Sequence, residues 1–422
     1  MSFFDGILGR RKVKLTDPAS VHVDNATWSG KATSPDAVLQ LATAWACVRL
    51  NSRTMASLPI KIHDAKTGEV DNNHPLYSIL HDSPNADQTA MEFWEGMYTC
   101  LNLRGNAYAE KVYSGETLIA LNPMNPDSTS VYRASDGSRR YRYNDPVTGF
   151  HDWGEDKVFH LRGFGAGGLM GLSPIGFGRQ TLGTALAADE VAGRTFGDGL
   201  HVSGFAEDMP GAKTTQKQRE EIVELFDKFA GSRRTGKVMP LPPGFSFKAL
   251  GLNPEDAQLL QTRGFHVEEI CRWFGTFPIL IGHAAQGQTM WGTGVESINL
   301  AWLTLYLGPE MQRTEQAIEK QLMTPADRLK FYAEHNVDAL LRADSAGRAA
   351  IMSVQAQNGL KTRNELRKKE NDPPLPGGDV LTVQSNLVPL EMLGKIQPAQ
   401  TPDGFGTMPK KPKPDPAPDN GK

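Results

Sequence analysis

The stretch Gly163-Phe164-Gly165-Ala166-Gly167-Gly168-Leu169-Met170-Gly171-Leu172-Ser173-Pro174-Ile175 permits two readings. Gly163, Gly165 and Gly168 match the dinucleotide-binding fingerprint, and Val158 to Leu161 before them reads as a strand. That fingerprint works only if a helix begins at the third glycine, so that its N-terminus meets a pyrophosphate. Here Leu169 to Leu172 intervene and the next helix opens at Ser173-Pro174. The acids about twenty residues on, Asp189 and Glu190, fall in mid-helix rather than at the end of a second strand. The stretch is therefore read as a flexible glycine loop followed by a helix to about Phe196.

Working outward, the same mixture of elements recurs without βαβ alternation, which makes the fold class α+β. Ser34-Pro35-Asp36 supplies a cap, a first-turn proline and an acid for one helix. Its expected buried stripe is Val38, Leu41, Ala42, Trp45 and Val48, and Leu58-Pro59 ends it. Ile60, Ile62 and Val70 flank a hairpin turn at Asp64 to Gly68. Thr89 and Glu92 form a capping box for a helix to about Leu103, stopped by Gly105. Strands follow around Tyr108, Val112, Leu118, Leu121, Tyr141 to Tyr143 and Val158 to Leu161.

Thr215 and Gln218 box a helix with a stripe of Ile222, Leu225, Phe226 and Phe229. Two short strands are expected between Lys237 and Leu250. Asn253-Pro254 caps a helix to about Phe274. Gly282 to Gly294 is a glycine- and glutamine-rich loop, and Val295 to Leu322 reads as the longest helix. Short helices close the ordered part, at Asp338 to Asn358 and Thr362 to Glu370.

The 422 residues allow about two or three compact units. Apolar content of 39% and charged content of 22% describe a soluble globular chain with a sizeable core. No apolar run is long enough to span a membrane. Near Met1 the charges Arg10 and Arg11 follow a short apolar run, the reverse of a secretory signal, so a cytoplasmic site of synthesis and assembly is expected. Cys47, Cys100 and Cys271 show no CxxC or Cys/His cluster and are read as buried inert thiols. A net charge of −3 excludes a protein that grips nucleic acid through bulk electrostatics. From Pro398 onward the proline- and lysine-rich tail is expected to be disordered.

No catalytic set emerges. Gly231-Ser232-Arg233-Arg234-Thr235-Gly236-Lys237-Val238 is one residue short of a P-loop, because Val238 replaces the hydroxyl that holds magnesium. It reads as a basic turn carrying Arg233, Arg234 and Lys237, either a docking feature or an ordinary solvated hairpin. The ten histidines lack metal-ligand spacing. No catalytic, cofactor or metal residues are assigned.

Several phrases stand in fixed order: Ala46-Cys47-Val48-Arg49, Ser57-Leu58-Pro59, His74-Pro75-Leu76-Tyr77, Pro84-Asn85 and Gly105-Asn106-Ala107-Tyr108. Then come Gly171-Leu172-Ser173-Pro174-Ile175, Glu269-Ile270 with Phe274-Gly275, Gly282, Asn364-Glu365-Leu366-Arg367 and Gly377-Gly378-Asp379. Each alone is weak, but their order and spacing resemble the portal protein family of tailed bacteriophages. The match covers about Ala37 to Asp379. Ile279 departs from it, since the family often has a second proline after Pro278.

The resemblance implies a dodecameric ring built in layers called wing, stem, clip and crown. After an N-terminal arm (1–33), the wing would be 34–172. The stem helices would be 173–200 and 253–281, with the clip (201–252) between them. A tunnel loop (282–294) would line the channel with His283, Gln286, Gln288, Thr289, Trp291 and Thr293. Of these, Trp291 is either an anchor on a neighbouring subunit, the favoured reading, or a steric contact with DNA. A long helix (295–335) would return to the wing, and the crown (336–380) would precede the tail (381–422). Without the resemblance, 282–294 reads as a surface loop.

The implied function is a DNA channel at one capsid vertex, serving packaging, retention, ejection and head-tail joining. The implied partners are further copies of the chain, double-stranded DNA, the terminase large subunit, the major capsid protein and a head-completion or adaptor protein, with no membrane. The clip residues Arg233, Arg234 and Lys237 would face the terminase or adaptor. The rival readings are a packaging NTPase, resting on the defective P-loop, and another capsid or tail-adaptor protein. The expected location is the virion, after assembly in the bacterial host cytoplasm.

Overall fold

The computed structural model describes residues 27–165, 167–197, 204–209, 215–229, 245–249, 255–283, 293–337, 345–370 and 372–382. The chain forms two compact units, Met1–Ala339 and Leu340–Lys422. In the first, Ser34 accepts the Ala37 amide at 3.2 Å and opens α1, Pro35–Val38. The spacing predicts one helix onward to Leu58. Instead Leu41 takes an extended backbone (φ −71°, ψ 117°) and α2 restarts at Ala42, running to Ala56. The break resets the buried face to Ala44, Cys47, Val48, Asn51, Ser52 and Met55. Val38 and Leu41 stay in the core, but Ala42 is exposed and Trp45 is 52% exposed, contrary to the expected stripe.

β1, Ile60–Asp64, ends in the expected turn, where Asp64 Oδ1 accepts the Lys66 and Thr67 amides. The return strand shrinks to a single bridge, His63 to Val70. α3, Pro75–His81, is capped by His74, whose Nδ1 accepts the Leu76 amide at 3.2 Å. α4, Ala90–Arg104, has the complete Thr89/Glu92 capping box and stops at Gly105 in the left-handed region, φ 70°.

Six strands follow: β2 (Asn106–Ser114), β3 (Thr117–Met124), β4 (Thr129–Arg133), β5 (Arg139–Asp145), β6 (Gly149–Gly154) and β7 (Val158–Arg162). They form two antiparallel sheets, ordered β3-β2-β7 and β4-β5-β6. Tyr108, Met124, Val131, Tyr141, Tyr143, Val158 and Leu169 share one apolar cluster that joins them.

α5, Pro174–Gly197, matches its predicted ends closely. β8 (Gly204–Asp208), α6 (Gln216–Phe229) and β9 (Phe245–Ala249) come next, with β8 and β9 antiparallel. Thr215 and Gln218 make the predicted box at the start of α6. α7, Glu255–Trp273, supplies Ile270 and Cys271 to a core with Leu182 and Ile175 of α5 and Cys47 and Val48 of α2. Cys47 and Cys271 are buried free thiols 3.7 Å apart, and burial pushes the half-buried Cys100 up to about 11.

The long helix is interrupted. α8, Thr293–Trp302, passes through a π turn at Leu303–Leu307 into α9, Gly308–Leu322. Pro309 explains the interruption, because it lacks an N–H and its ring would strike the carbonyl four residues back. The Gly308 amide reaches five residues back, to Leu303 O, and the wider turn absorbs the misfit. The 295–335 segment is therefore not all helix: its end is β10, Phe331–His335, which pairs antiparallel with β1. α9 lies against β10 and β7, and the Gln321 amide bonds both backbone groups of His160 at 2.8 and 2.9 Å.

In the second unit, helices Ser345–Gln357 and Arg363–Lys369 are described, the latter opened by a Thr362/Glu365 capping box. The expectation of tail disorder concerns residues outside those described.

Candidate functional site

The predicted channel residues divide sharply. Gly282 (φ 82°) ends a short 3-10 turn, Pro278–Ile281, and the His283 amide donates to Pro278 O at 3.0 Å. Thr293 and Gly294 belong to α8 rather than to a loop. Gln286, Gln288, Thr289 and Trp291 lie outside the described residues, as do Arg233, Arg234 and Lys237. No pair of these predicted residues is brought together among the described residues.

What the structure does describe is a polar cluster that joins the residues after α7 to the π turn before α9. Asn51, on the buried face of α2, donates through Nδ2 to Phe274 O at 2.7 Å and to the Tyr306 hydroxyl at 3.1 Å. Its Oδ1 accepts from Thr276 Oγ1 at 3.1 Å. Tyr306, in the π turn, donates to Asn102 Oδ1 of α4 at 2.9 Å. The end of α7 and the start of α9 are thus fastened to one buried polar knot. Gly275 (φ 65°) lies so close to the Tyr306 ring that a Cβ would strike it. Burial raises the Tyr306 hydroxyl far above its ordinary pKa, so it stays a neutral donor. Sequence reading missed Asn51, Asn102, Thr276 and Tyr306. The available signal was Asn51, an amide set among apolar positions at helical spacing.

The family-like phrases prove to be joints of the same kind. Asn106 Nδ2 donates to Gly171 O at 2.9 Å, and Gly171 N donates to Asn106 Oδ1 at 2.8 Å. Ser173 donates to Leu103 O at 3.0 Å while accepting from Gly176 N, so it caps α5 and ties it to α4. His160 completes this joint, with Nε2 3.0 Å from Asn106 Oδ1 and Nδ1 3.3 Å from the Tyr141 hydroxyl. The amide oxygen must accept, so Nε2 carries the proton and the ring is neutral. Burial, helped by Arg162 and Arg139, holds His160 well below its usual pKa. In the second unit, Asn364 bonds Leu375 at both backbone groups' reach and Asp379 Oδ1 at 2.9 Å, joining its phrase to the Gly377-Gly378-Asp379 turn.

Crowding explains the first fingerprint glycine, Gly163, and also Gly171. A Cβ on Gly163 would meet Gly105 O at 3.0 Å, and one on Gly171 would overlap the same carbonyl. Among the described residues after β7, no helix begins before Pro174, so the dinucleotide mode has no helix N-terminus to use. Among the described residues, no His/Cys/Asp/Glu group is arranged to hold a metal, and no helix is long and apolar enough to cross a membrane.

Residues 42–371 match the family model described as "Phage portal protein". The portal protein of Enterobacteria phage HK97 is 37% identical over 388 residues, spanning 90% of this chain and 89% of that protein. The probable portal protein of Streptomyces phage phiC31 is 28% identical over 404 residues, spanning 90% and 87%. Among solved structures, the neck of a native gene transfer agent particle computed with C12 symmetry contains a chain of the same fold. It superposes with a TM-score of 0.55 at 22% identity, covering 81% of this chain and 95% of its own.

Proposed function

The chain therefore belongs to the phage portal protein family, and on that premise we propose that it forms a twelve-fold ring at one capsid vertex. Double-stranded DNA passes through this ring during packaging by the terminase large subunit and again at ejection. The ring sits in the virion between the major capsid protein and a head-completion or adaptor protein, after assembly in the host cytoplasm. The observation that carries this reading is 37% identity to the HK97 portal protein over nine-tenths of the chain. The C12 symmetry of the gene transfer agent neck supports the copy number.

In this reading α5 and α7 are the stem helices, and β8, α6 and β9 belong to the clip, whose Arg233, Arg234 and Lys237 face the motor. The segment from Gly282 to Thr293 lines the narrowest passage. Gln286, Gln288 and Thr289 are uncharged there, which suits a sliding polyanion, because each fixed cation would add affinity and friction. The ring performs no catalysis of its own. Electron microscopy of the purified full-length chain should show closed rings with an axial opening, and ATP hydrolysis should stay at background. Persistent monomers, or turnover abolished by Lys237→Ala, would refute this reading.

A further inference from the structure

The side chains of α9 divide among three faces. Met311, Thr314, Ile318 and Leu322 are buried, while Glu315 and Glu319 bond β10. Arg313, Gln316 and Lys320 line a cleft of about 430 Å³, facing His160, Arg162 and the glycine turn after β7. That volume lies within the range of small-ligand sites. Among the described lining residues there is no Asp or Glu. His160 adds no charge, as argued above. What remains is three cations around one space.

Their compensation is incomplete. Arg313 Nη1 is buried without a hydrogen bond, and its nearest acid, Glu310, stands 3.4 Å away outside hydrogen-bonding geometry. Burial also pushes the Glu310 carboxyl up, against the pull of Arg313, which weakens it as a counter-ion. Arg162 donates only to a neutral carbonyl, Gly168 O, at 3.2 Å. Glu155, the acid on that side, is 3.4 Å from Arg139. A buried guanidinium nitrogen without an acceptor is costly, so this arrangement calls for an anion.

We propose that this cleft is an oxyanion site that takes a phosphate group. Three converging cations exceed what one carboxylate neutralises, whereas a phosphate carries more charge and more acceptor oxygens for guanidinium forks. Gly167 and Gly168 place no side chain in the way. The phosphate belongs either to a free polyphosphate or to a nucleic-acid backbone, and none of the cleft's lining residues belongs to the channel segment.

The test uses the full-length protein, with inorganic pyrophosphate followed by calorimetry and short duplex DNA by fluorescence anisotropy. The double variant Arg313→Gln/Lys320→Gln should weaken binding about tenfold or more. It should also flatten the salt dependence by about one unit of slope per cation removed. Gln316→Lys, at an exposed position on the same face, should tighten binding, and thermal melts should show both variants folded. Pyrophosphate binding without DNA binding assigns a free polyphosphate. DNA binding that pyrophosphate competes away assigns the backbone. No binding of either probe by the wild type, or binding unmoved in both variants, overturns the proposal. Lost ring assembly with unchanged phosphate binding also overturns it, giving the cleft to an acidic surface of a neighbouring copy.

Discussion

The two helices that meet at the π turn obey different rules. The buried face of α9 is satisfied within its own chain: Ile318 and Thr314 are fully buried, and Glu315 Oε1 accepts from both the amide and Nδ1 of His335, at 2.8 and 2.7 Å. The helical run before it carries a single charge, Glu296, between Thr293 and Gly308. It leaves Leu300 62% exposed and, in the π turn, Leu305 71% exposed. Two exposed leucines one helical turn and a half apart are the feature of this run that a subunit contact would cover. In the ring proposed above, α9 would build the subunit and the run before it would meet a neighbour.

The strongest way to break this contrast is Ile318→Ala. Loss of a fully buried branched side chain should cost about 2–5 kcal/mol, read from urea or guanidinium unfolding. A loss below about 1 kcal/mol would mean that α9 is not the anchored half.

Glu315→Gln should have an intermediate effect, about 1.5–3 kcal/mol at neutral pH, because a charged acceptor is removed. Burial alone would raise the Glu315 carboxyl, but hydrogen bonds from the His335 side chain and backbone hold it below its ordinary 4.5. A carboxyl depressed in the native state adds stability above its ordinary pKa and loses it as pH falls through the native value. The gap between wild type and variant should therefore close in acid. A gap independent of pH would point to packing instead of charge.

The smallest effect is expected from Leu300→Ser combined with Leu305→Ser. Each should change folding of the isolated chain by less than about 0.5 kcal/mol. Sedimentation velocity should nevertheless show fewer rings and more monomer. Unaltered assembly would leave the exposed leucines unexplained.

Sequence reading succeeded where the determining chemistry is local. The boxes at Thr89/Glu92 and Thr215/Gln218, the stop at Gly105 and the start at Pro174 each depend on a few adjacent residues. It failed where distant segments decide. Val70 does bridge His63 as the hairpin requires, but β10 pairs with β1 as well, and no local signal announces a partner so far along the chain. Trp45 fits an apolar stripe only if the helix runs unbroken through Leu41, and it does not. The π turn was legible in principle, since Pro309 stands inside the expected helix. The channel segment was expected from the resemblance and its glycines and stays a proposal, while the knot at Asn51, Asn102 and Tyr306 was hidden, because polar residues on a helix ordinarily read as its solvent side.

The pairing of β1 with β10 also sets an order of events in time. Roughly 270 residues separate the two strands, which at ribosomal speeds is a delay on the order of 13–50 s. Until Phe331–His335 emerges, Ile60–Asp64 is an open edge with unpaired amides and carbonyls. A chain interrupted anywhere before that point keeps the edge and cannot close its first unit. Synthesis through His335 thereby becomes a checkpoint, and a chain that stops short of it is marked by exposed backbone.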